Sequence, residues 1–313
     1  MIAIINQKST KYKDFFQKSQ VPVYLYWDKI KYKAPPDLQP ENFWAAIKLW
    51  RKMQFSPSII KTESEDIFTW IKLSHYDQIL HELDLNTGGS LLAFTKDLND
   101  TKKYQFISRG IMEEAIASSQ LEGAATTRKK AKEFLREGRK PTNHAEHMIL
   151  NNYKSMQLIE NEYKNKEMSL ELLYELHIRI AQNTIAQKDL GHFRSDFDEI
   201  IIHGDDNEIL FKPPKMDFVE QEIKSLIAFA NDKDDSSFIH PIIKAIILHF
   251  WLAYLHPFVD GNGRLARLLF YWYLLRKNYW AFAYLPISKI IKKAPSQYKM
   301  AYIYSEQDDF DLT

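Results

Sequence analysis

The side chains best suited to chemistry in this 313-residue sequence fall within twelve residues, from His256 to Arg267. Pro257 disfavours helical backbone at the residue before it, so a helix should end at His256 and leave the imidazole at the lip of a loop. A neutral imidazole there can accept the proton of an attacking hydroxyl. Asp260 has the carboxylate oxygens that Mg²⁺ takes beside phosphate groups.

The second half of this window predicts an anion site. Gly261 and Gly263 flank Asn262 and permit a close backbone approach, and the N–H groups of a loop that leads into a helix converge on one point. Arg264 and Arg267 are three residues apart, so both can project from the same side of that helix. A base, a metal ligand, an anion cradle and two guanidinium groups together predict nucleotidyl or phosphoryl transfer.

These residues also allow other interpretations. A DGNG sequence by itself is usually an ordinary turn, and a lone histidine at a helix end is more often structural. His249, His256 and Asp260 could instead form a metal site of two histidines and one carboxylate. His249 lies in the middle of an apolar segment, however, and this favours a core histidine.

Helical periodicity dominates the rest of the chain. His240–Leu255 is apolar almost all round but is interrupted by Lys244 and His249, so it is expected to be a helix buried in a bundle rather than a membrane span. Leu190–Pro214 has the glycine, isoleucine and proline pattern of a short β-hairpin. Helices are predicted at Pro40–Met53, Ile67–Leu83, Ile107–Leu121, Thr127–Glu137, His144–Tyr163, Ser169–Asn183, Asp217–Asn231, His240–Leu255 and Arg264–Arg276.

Composition and charge exclude several classes of function. The chain has no cysteine, so disulfides, thiolate metal sites and cysteine nucleophiles are excluded. Lys and Arg number 42 against 41 Asp and Glu, a balance that argues against a nucleic acid or an anionic membrane as the main partner. The basic stretch Lys129–Lys140 is therefore interpreted as a solvated face. No signal peptide is evident, and a cytoplasmic location is expected.

The segment HPFVDGNGRLAR resembles the signature of the Fic (filamentation induced by cAMP) family, HPFx(D/E)GNGRxxR, at every specified position. The resemblance runs from about Tyr104 to the end and includes Gly191–Arg194, which is similar to the family's GxFR element. It implies an all-α fold, the Fic helical bundle with one small β-hairpin, the flap, at about 199–213. The implied domains are a helical or mixed N-terminal extension at 1–103, a Fic core at 104–290, and a C-terminal helix at 291–313 that could be truncated before a further segment.

Most members of that family with the full motif are protein adenylyltransferases, which move AMP from ATP onto a Ser, Thr or Tyr hydroxyl of a target protein. Carried across to this chain, the resemblance assigns His256 as the base, Asp260 as the Mg²⁺ ligand, Gly261, Asn262 and Gly263 as the anion hole, Arg264 as a phosphate contact, and Arg267 as the partner of the γ-phosphate. It further implies a target protein docked at the flap by strand addition, along Ile201 and Ile202. Tyr298 and Ser305 would approach the nucleotide, although some relatives have Asn where Ser305 stands. Automodification and a homodimer are also consistent with the resemblance.

A second segment, Ser118–Gly123, resembles the family's inhibitory motif, (S/T)xxxE(G/N), at the end of a predicted helix at about 107–122. On its own it would be an ordinary helix end, with Gly123 as the residue after the cap. Ser118 and Glu122 are four residues apart and share a helix face. The resemblance implies a bidentate ion pair between Glu122 and Arg267 that withholds the guanidinium from ATP.

Two alternatives to an autoinhibited adenylyltransferase stay open. In the first, Glu122 orients a water molecule that removes AMP from a modified hydroxyl, alone or alongside AMP addition. In the second, the domain is a catalytically silent signalling or transcriptional adaptor, against which the intact motif argues. A phosphotransferase is disfavoured because Gly263 and Arg267 are both present.

Overall fold

The computed structural model describes residues 9–88, 100–203, 209–233 and 238–313, which divide into two compact units. The first unit combines the residues up to 81 with residues 300–313, and the second runs from 82 to 299. Within the described ranges, no helix is long and apolar enough to cross a lipid bilayer. The division into 1–103, 104–290 and 291–313 stays a prediction.

The first unit contains three helices around a small aromatic core. They are α1 (Ser9–Lys18), α2 (Trp27–Ile30) and α3 (Pro40–Lys52), the last of which agrees with the sequence prediction. Burial of apolar side chains from all three stabilises their packing. The buried members of this core are Tyr12, Phe16, Ile30, Phe43, Ala46 and Ile47.

One predicted helix is wrong over its first part. Within Ile67–Leu83, the residues Ile67–Trp70 form strand β2, which pairs antiparallel with β1 (Ser56–Lys61), and the helix α4 begins only at Ser74 and ends at Thr87. Phe68 is completely buried between more exposed neighbours, as the alternation of a strand requires. Pairing with β1 therefore overrides the helical spacing of the apolar residues.

The second unit is a helical bundle with one small hairpin, as predicted. Its helices are α5 (Asp100–Leu121), α6 (Arg128–Glu137), α7 (His144–Asn161), α8 (Leu170–Ala181), α9 (Met216–Ala230), α10 (Pro241–Leu255), α11 (Asn262–Arg276), α12 (Ile287–Ile291) and the start of α13 (Pro295–Gln307). Short 3₁₀ turns occupy Tyr163–Asn165, Gln187–Asp189, Asp196–Asp198 and Trp280–Ala283. Strands β3 (Ile202–His203) and β4 (Ile209–Phe211) pair antiparallel at the position predicted for the flap, and residues 204–208 of that prediction lie outside the described residues.

Helices α10 and α11 form the centre of the second unit and carry the loop between them. Trp251 and Leu252 on α10, and Leu265 and Trp272 on α11, are completely buried, so α10 is a buried helix as expected. Lys244 interrupts the apolar run of α10. Its Nζ donates to Asp232 Oδ1 at 2.7 Å, which compensates for the burial of the ammonium group. Core packing therefore holds the α10–α11 loop from both ends.

Polar caps define where three helices of this unit begin. The side chains of Thr127, Asn143 and Ser169 each accept a hydrogen bond from the N–H three residues on, at 3.3, 3.0 and 3.1 Å. Each contact satisfies one of the N–H groups that the first turn of a helix leaves without an internal partner. Ser169 caps the start of α8, the helix whose His177 contacts Asp260 in the α10–α11 loop.

We expect Ser169→Ala to lower the free energy of unfolding by about 1 kcal/mol, because the N–H of Leu172 loses its acceptor. Ser169→Asn should retain most of the stability, since asparagine caps as well as serine does. Chemical denaturation followed by circular dichroism measures both. Equal stability of the alanine variant and the wild type would contradict the role given to this cap.

Candidate active site

His256 lies at the C-terminal end of α10, in the left-handed conformation (φ 47°, ψ 54°) rather than the extended one that Pro257 favours. This conformation costs about 1–3 kcal/mol outside glycine and persists only where the surroundings hold it. The N–H of His256 donates to Leu252 O at 3.1 Å, and its C=O accepts from Arg194 Nε at 2.8 Å. Arg194 also donates its own N–H to Pro257 O at 2.9 Å. The GxFR element thus holds the backbone of the proposed base.

The protonation state of His256 suits a base. Burial lowers the pKa of its imidazole below the ordinary value, and the Arg194 guanidinium acts in the same direction. The carboxylates of Glu122 and Asp260 act in the opposite direction without outweighing burial. The imidazole is therefore neutral at pH 7 and able to accept a proton.

A clamp inside the loop sets its shape. The side chain of Asn262 accepts from Phe258 N–H at 3.0 Å and donates to Phe258 O at 2.7 Å, and Phe258 is completely buried. Gly261, with φ 88°, provides the left-handed turn that leads into α11. The side chain of Asn262 therefore holds the loop itself, which leaves its backbone N–H as the group available to the predicted anion hole.

His177 on α8 is a residue of the site that the sequence did not single out. Its ring is completely buried and stacks on Phe258 at a centroid distance of 3.7 Å. The Nδ1 accepts from Gly191 N–H at 3.1 Å, so the proton lies on Nε2, which donates to Asp260 O at 3.0 Å. Burial lowers its pKa to about 4, which keeps this tautomer neutral. His177 thereby fixes the backbone of Asp260, and only its contacts across the fold could have identified it.

Arg264 and Asp260 form the part of the site suited to phosphate and metal. The Arg264 guanidinium is completely buried, donates to Ile180 O at 2.7 Å and lies 3.5 Å from Asp260 Oδ2. Its Nε has no hydrogen-bond partner among the described residues, so an anion would satisfy it.

Asp260 fits a Mg²⁺ ion held mainly by phosphate oxygens and water. Its side chain is 47% exposed, and its Oδ1 accepts from Gly261 N–H at 2.6 Å. The described residues contain no group of three or more metal-binding side chains, so the alternative site of His249, His256 and Asp260 is not formed there. A single exposed carboxylate is what Mg²⁺ uses when a nucleotide supplies its other ligands.

Arg267 meets Ser118 and Glu122 across 149 and 145 residues of sequence. Arg267 Nε donates to Ser118 Oγ at 2.8 Å, and Nη2 donates to Glu122 Oε1 at 2.7 Å. The predicted bidentate pair is therefore wrong in its detail, because Ser118 takes the second donor. Gly123, with φ 90°, ends the helix directly after Glu122.

The carboxylate of Glu122 lies over the first turn of α11. A Cβ placed on Gly263 would come within 2.8 Å of Glu122 Cδ and 3.0 Å of Oε2. The first backbone hydrogen bond of α11 runs from Leu265 N–H to Gly261 O, so the N–H groups before Leu265 precede the ladder and attract an anion. Burial raises the pKa of Glu122, but the Arg267 guanidinium outweighs it, so the pKa lies below its usual value and the group is ionised at pH 7.

Tyr298 and Ser305, the two positions predicted to approach the nucleotide, lie on α13. Tyr298 OH lies 2.6 Å from His249 Nε2, and burial lowers the pKa of His249 to about 4, so this histidine is a neutral core residue as expected. Ser305 is buried in the first unit. In the flap, Ile202 pairs with Phe211 and Ile201 is 37% exposed. The nucleotide roles of Tyr298 and Ser305 and the target role of Ile201 and Ile202 stay predictions.

Comparison with known proteins finds sequence similarity around this site. The profile of the Fic/DOC family matches residues 167–274. Protein adenylyltransferase fic-1 of Caenorhabditis elegans is 29% identical over 116 residues, which cover 37% of this chain and 21% of the relative. Protein adenylyltransferase Fic of Drosophila virilis is 46% identical over 48 residues, 15% of this chain and 10% of the relative. The chain thus matches about a fifth to a quarter of the length of its first curated relatives.

Solved structures show the same fold. A Fic family protein from Desulfovibrio desulfuricans G20 superposes with a TM-score of 0.60 at 18% identity, covering 82% of this chain and 71% of that one. Fic-1 from Caenorhabditis elegans superposes with a TM-score of 0.54 at 17% identity, covering 96% and 84% of the two chains. At these identities the likeness concerns the fold.

The contact between Gly263 and Glu122 predicts that Gly263→Ala destabilises the protein when Glu122 is present but not when Glu122 is replaced by glycine. Gly263→Ala should destabilise the protein by about 1–3 kcal/mol, because the new methyl group displaces the carboxylate from Arg267. In the Glu122→Gly background the same change should be neutral or stabilising, since alanine is a better helix former than glycine. Denaturant titration of the four proteins measures this, and equal costs in both backgrounds would contradict the contact.

Proposed function

Because residues 167–274 form a domain of the Fic/DOC family, we propose that this chain is a protein adenylyltransferase that moves AMP from ATP to a hydroxyl group of a target protein. The curated relatives that it matches are named protein adenylyltransferases, which supports this activity. The observation that carries the proposal is the α10–α11 loop. There a neutral imidazole, an exposed carboxylate, the N–H groups at the start of α11 and two buried guanidinium groups converge.

In this reaction His256 takes the proton of the target hydroxyl. The hydroxyl oxygen forms a bond to the α-phosphorus of ATP, the bond from that phosphorus to pyrophosphate breaks, and pyrophosphate leaves with the electron pair. The N–H groups at the start of α11 and the guanidinium of Arg264 stabilise negative charge on the phosphates. Mg²⁺, when bound with ATP, would neutralise phosphate charge, and Asp260 is the carboxylate that would hold it.

We further propose that Glu122 inhibits this transfer within the same chain. Its ionised carboxylate lies against Gly263 and is bonded to Arg267, so the protein's own anion fills the space where phosphate oxygens would lie. A γ-phosphate would compete with the carboxylate for the Arg267 guanidinium. ATP then binds without the contact that sets its α-phosphate in line with the hydroxyl.

The target would dock along the flap. Ile201 and Ile209 are exposed by 37% and 63%, and a two-stranded hairpin can add an extended segment through main-chain hydrogen bonds. An added strand would be held next to the α10–α11 loop, since Arg194, eight residues before Ile202, is bonded to His256 O. The target hydroxyl belongs to Ser, Thr or Tyr, and the chain itself is a candidate target.

A second function, removal of AMP, is favoured by one observation. The Glu122 carboxylate acts to raise the pKa of the His256 imidazole, so the two groups are near enough to interact electrostatically. A carboxylate there could orient a water molecule toward a modified hydroxyl. In that case Glu122→Gly would abolish AMP removal as well as releasing AMP addition.

We expect His256→Ala to reduce AMP transfer by at least 10²–10⁴-fold and to leave ATP binding in place, because backbone N–H groups and arginines bind the phosphates. Incorporation of labelled AMP measures transfer, and calorimetry measures binding. His144→Ala, at an exposed histidine, should behave as wild type. Normal transfer by His256→Ala would rule out His256 as the base, whereas an absence of transfer by the wild type and by Glu122→Gly would favour the silent adaptor.

The pH dependence of kcat/KM tests the same base in the wild type. The loss of activity on acidification should have its midpoint below pH 6.5, since a base with a lowered pKa stays neutral to lower pH.

We expect Glu122→Gly to raise AMP transfer by roughly 10- to 150-fold, first seen as automodification, because Arg267 becomes available to the γ-phosphate. Adding Arg267→Ala to this variant should remove the gain, since both changes act through one contact. The measurement is labelling with ATP and Mg²⁺ in cell lysate. An unchanged or lower rate of transfer in Glu122→Gly would rule out autoinhibition by this carboxylate.

A further inference from the structure

A buried contact between Glu114 on α5 and Ser288 on α12 holds α5 about two turns before the Glu122 carboxylate. Glu114, two turns before Glu122, is 2% exposed, and the Arg267 guanidinium acts on its carboxyl group electrostatically. The N–H of Ser288 donates to Glu114 Oε2 at 2.9 Å, and Ser288 Oγ donates to Oε1. Ser288 itself is completely buried on α12. A carboxylate removed from water in this way holds its two donors strongly, because no solvent can replace them.

One turn earlier, α5 contacts the chain before α12 through a glycine. A Cβ placed on Gly110 would lie under 3.0 Å from the Cα, C and O atoms of Tyr284. These are backbone atoms, so no side-chain rotation could relieve the overlap. Gly110 is therefore required by close approach rather than by its own conformation.

A third contact lies near the last turn of the helix. Gln120 Oε1 accepts from Lys292 Nζ at 2.5 Å, while its Nε2 donates to Thr126 O at 2.7 Å. We name these contacts the α5–α12 seam: Gly110 with Tyr284, Glu114 with Ser288, and Gln120 with Lys292. The partners of α5 are Tyr284, which precedes α12, Ser288 within α12 and Lys292 directly after it, and they follow the same direction as the residues on α5.

The seam and the inhibitory contact belong to one stiff element. Glu114 lies within α5 and Glu122 directly follows its last residue, Leu121, so the two are eight residues and about 12 Å apart at 1.5 Å per residue. A shift of about one ångström along α5 would lengthen the 2.7 Å bond from Arg267 to Glu122 beyond hydrogen-bond range. The seam therefore lies on the same element that brings the carboxylate to Arg267.

We propose that the α5–α12 seam positions the inhibitory carboxylate, so that loosening it activates the enzyme while Glu122 itself is intact. Glu114, Ser288 and Gly110 are positioning residues, since none of them touches the α10–α11 loop. This inference rests on the proposed autoinhibited transfer. It adds that the control point of the switch lies on α12, outside the active site.

The test uses Ser288→Ala and Gly110→Ala in the full chain. Each should raise labelled AMP transfer by about 3- to 10-fold with Glu122 in place, and neither should add to the rate of Glu122→Gly. Amide hydrogen exchange of residues 119–122 should become faster in both variants, because the last turn of α5 opens more often. The exchange readout does not depend on any chemistry of the enzyme.

Ser155→Ala is the matched control. It also removes a completely buried serine hydroxyl, but that Oγ has no hydrogen-bond partner among the described residues. It should change neither the rate nor the exchange of residues 119–122. Ser288→Ala covers the case in which Gly110→Ala fails to fold.

Two results would overturn the seam as a positioning device. One is a lower melting temperature of Ser288→Ala with unchanged exchange at 119–122, which would make the contact merely structural. The other is an equal rise in transfer when Ser288→Ala is added to Glu122→Gly. If instead Glu122→Gly transfers no AMP, the proposed function fails, and the exchange measurement still decides whether the seam places Glu122.

Discussion

The hydrogen-bonded ion pair between Glu122 and Arg267 joins the last turn of α5 to the first turns of α11, and the described site depends on it. The Arg267 side chain is buried and that of Glu122 is partly buried, so an unpaired charge on either group would be costly. The pair also requires Gly263, because any side chain there would occupy the place of the carboxylate. Three features distant in sequence thus follow from one electrostatic contact.

The α10–α11 loop is held differently, by side chains that form hydrogen bonds to its backbone. The left-handed backbone at His256 is bonded to Arg194, the stacked ring of His177 holds Asp260, and the amide of Asn262 closes the loop on Phe258. These bonds are made before any substrate arrives. A preformed loop has little to reorganise when charge develops on a phosphate, which is the property expected of a site that works by electrostatics.

Much of this arrangement could be predicted from the sequence because it is local. The order of the helices in the second unit, the end of α10 before Pro257 and the cap at Ser169 follow from periodicity and from residues next to one another in the chain. The spacing of His256, Asp260 and Arg264 also determines which groups share the loop. The prediction of a helix over Ile67–Trp70 is wrong for a related reason. Pairing with strand β1, and not the spacing of its apolar residues, decides the conformation of this segment.

Only the tertiary structure decided which partners the functional side chains bind. Arg264 and Arg267 are equivalent in the sequence, but one is bonded to Ile180 O and the other to Ser118 and Glu122. A guanidinium binds whichever acceptors the packing of neighbouring helices brings to it, and spacing along one helix contains no information about the next. The tautomer of His177 and the buried pair of Glu114 with Ser288 were out of reach for the same reason, because each depends on a partner brought near by folding and not by sequence.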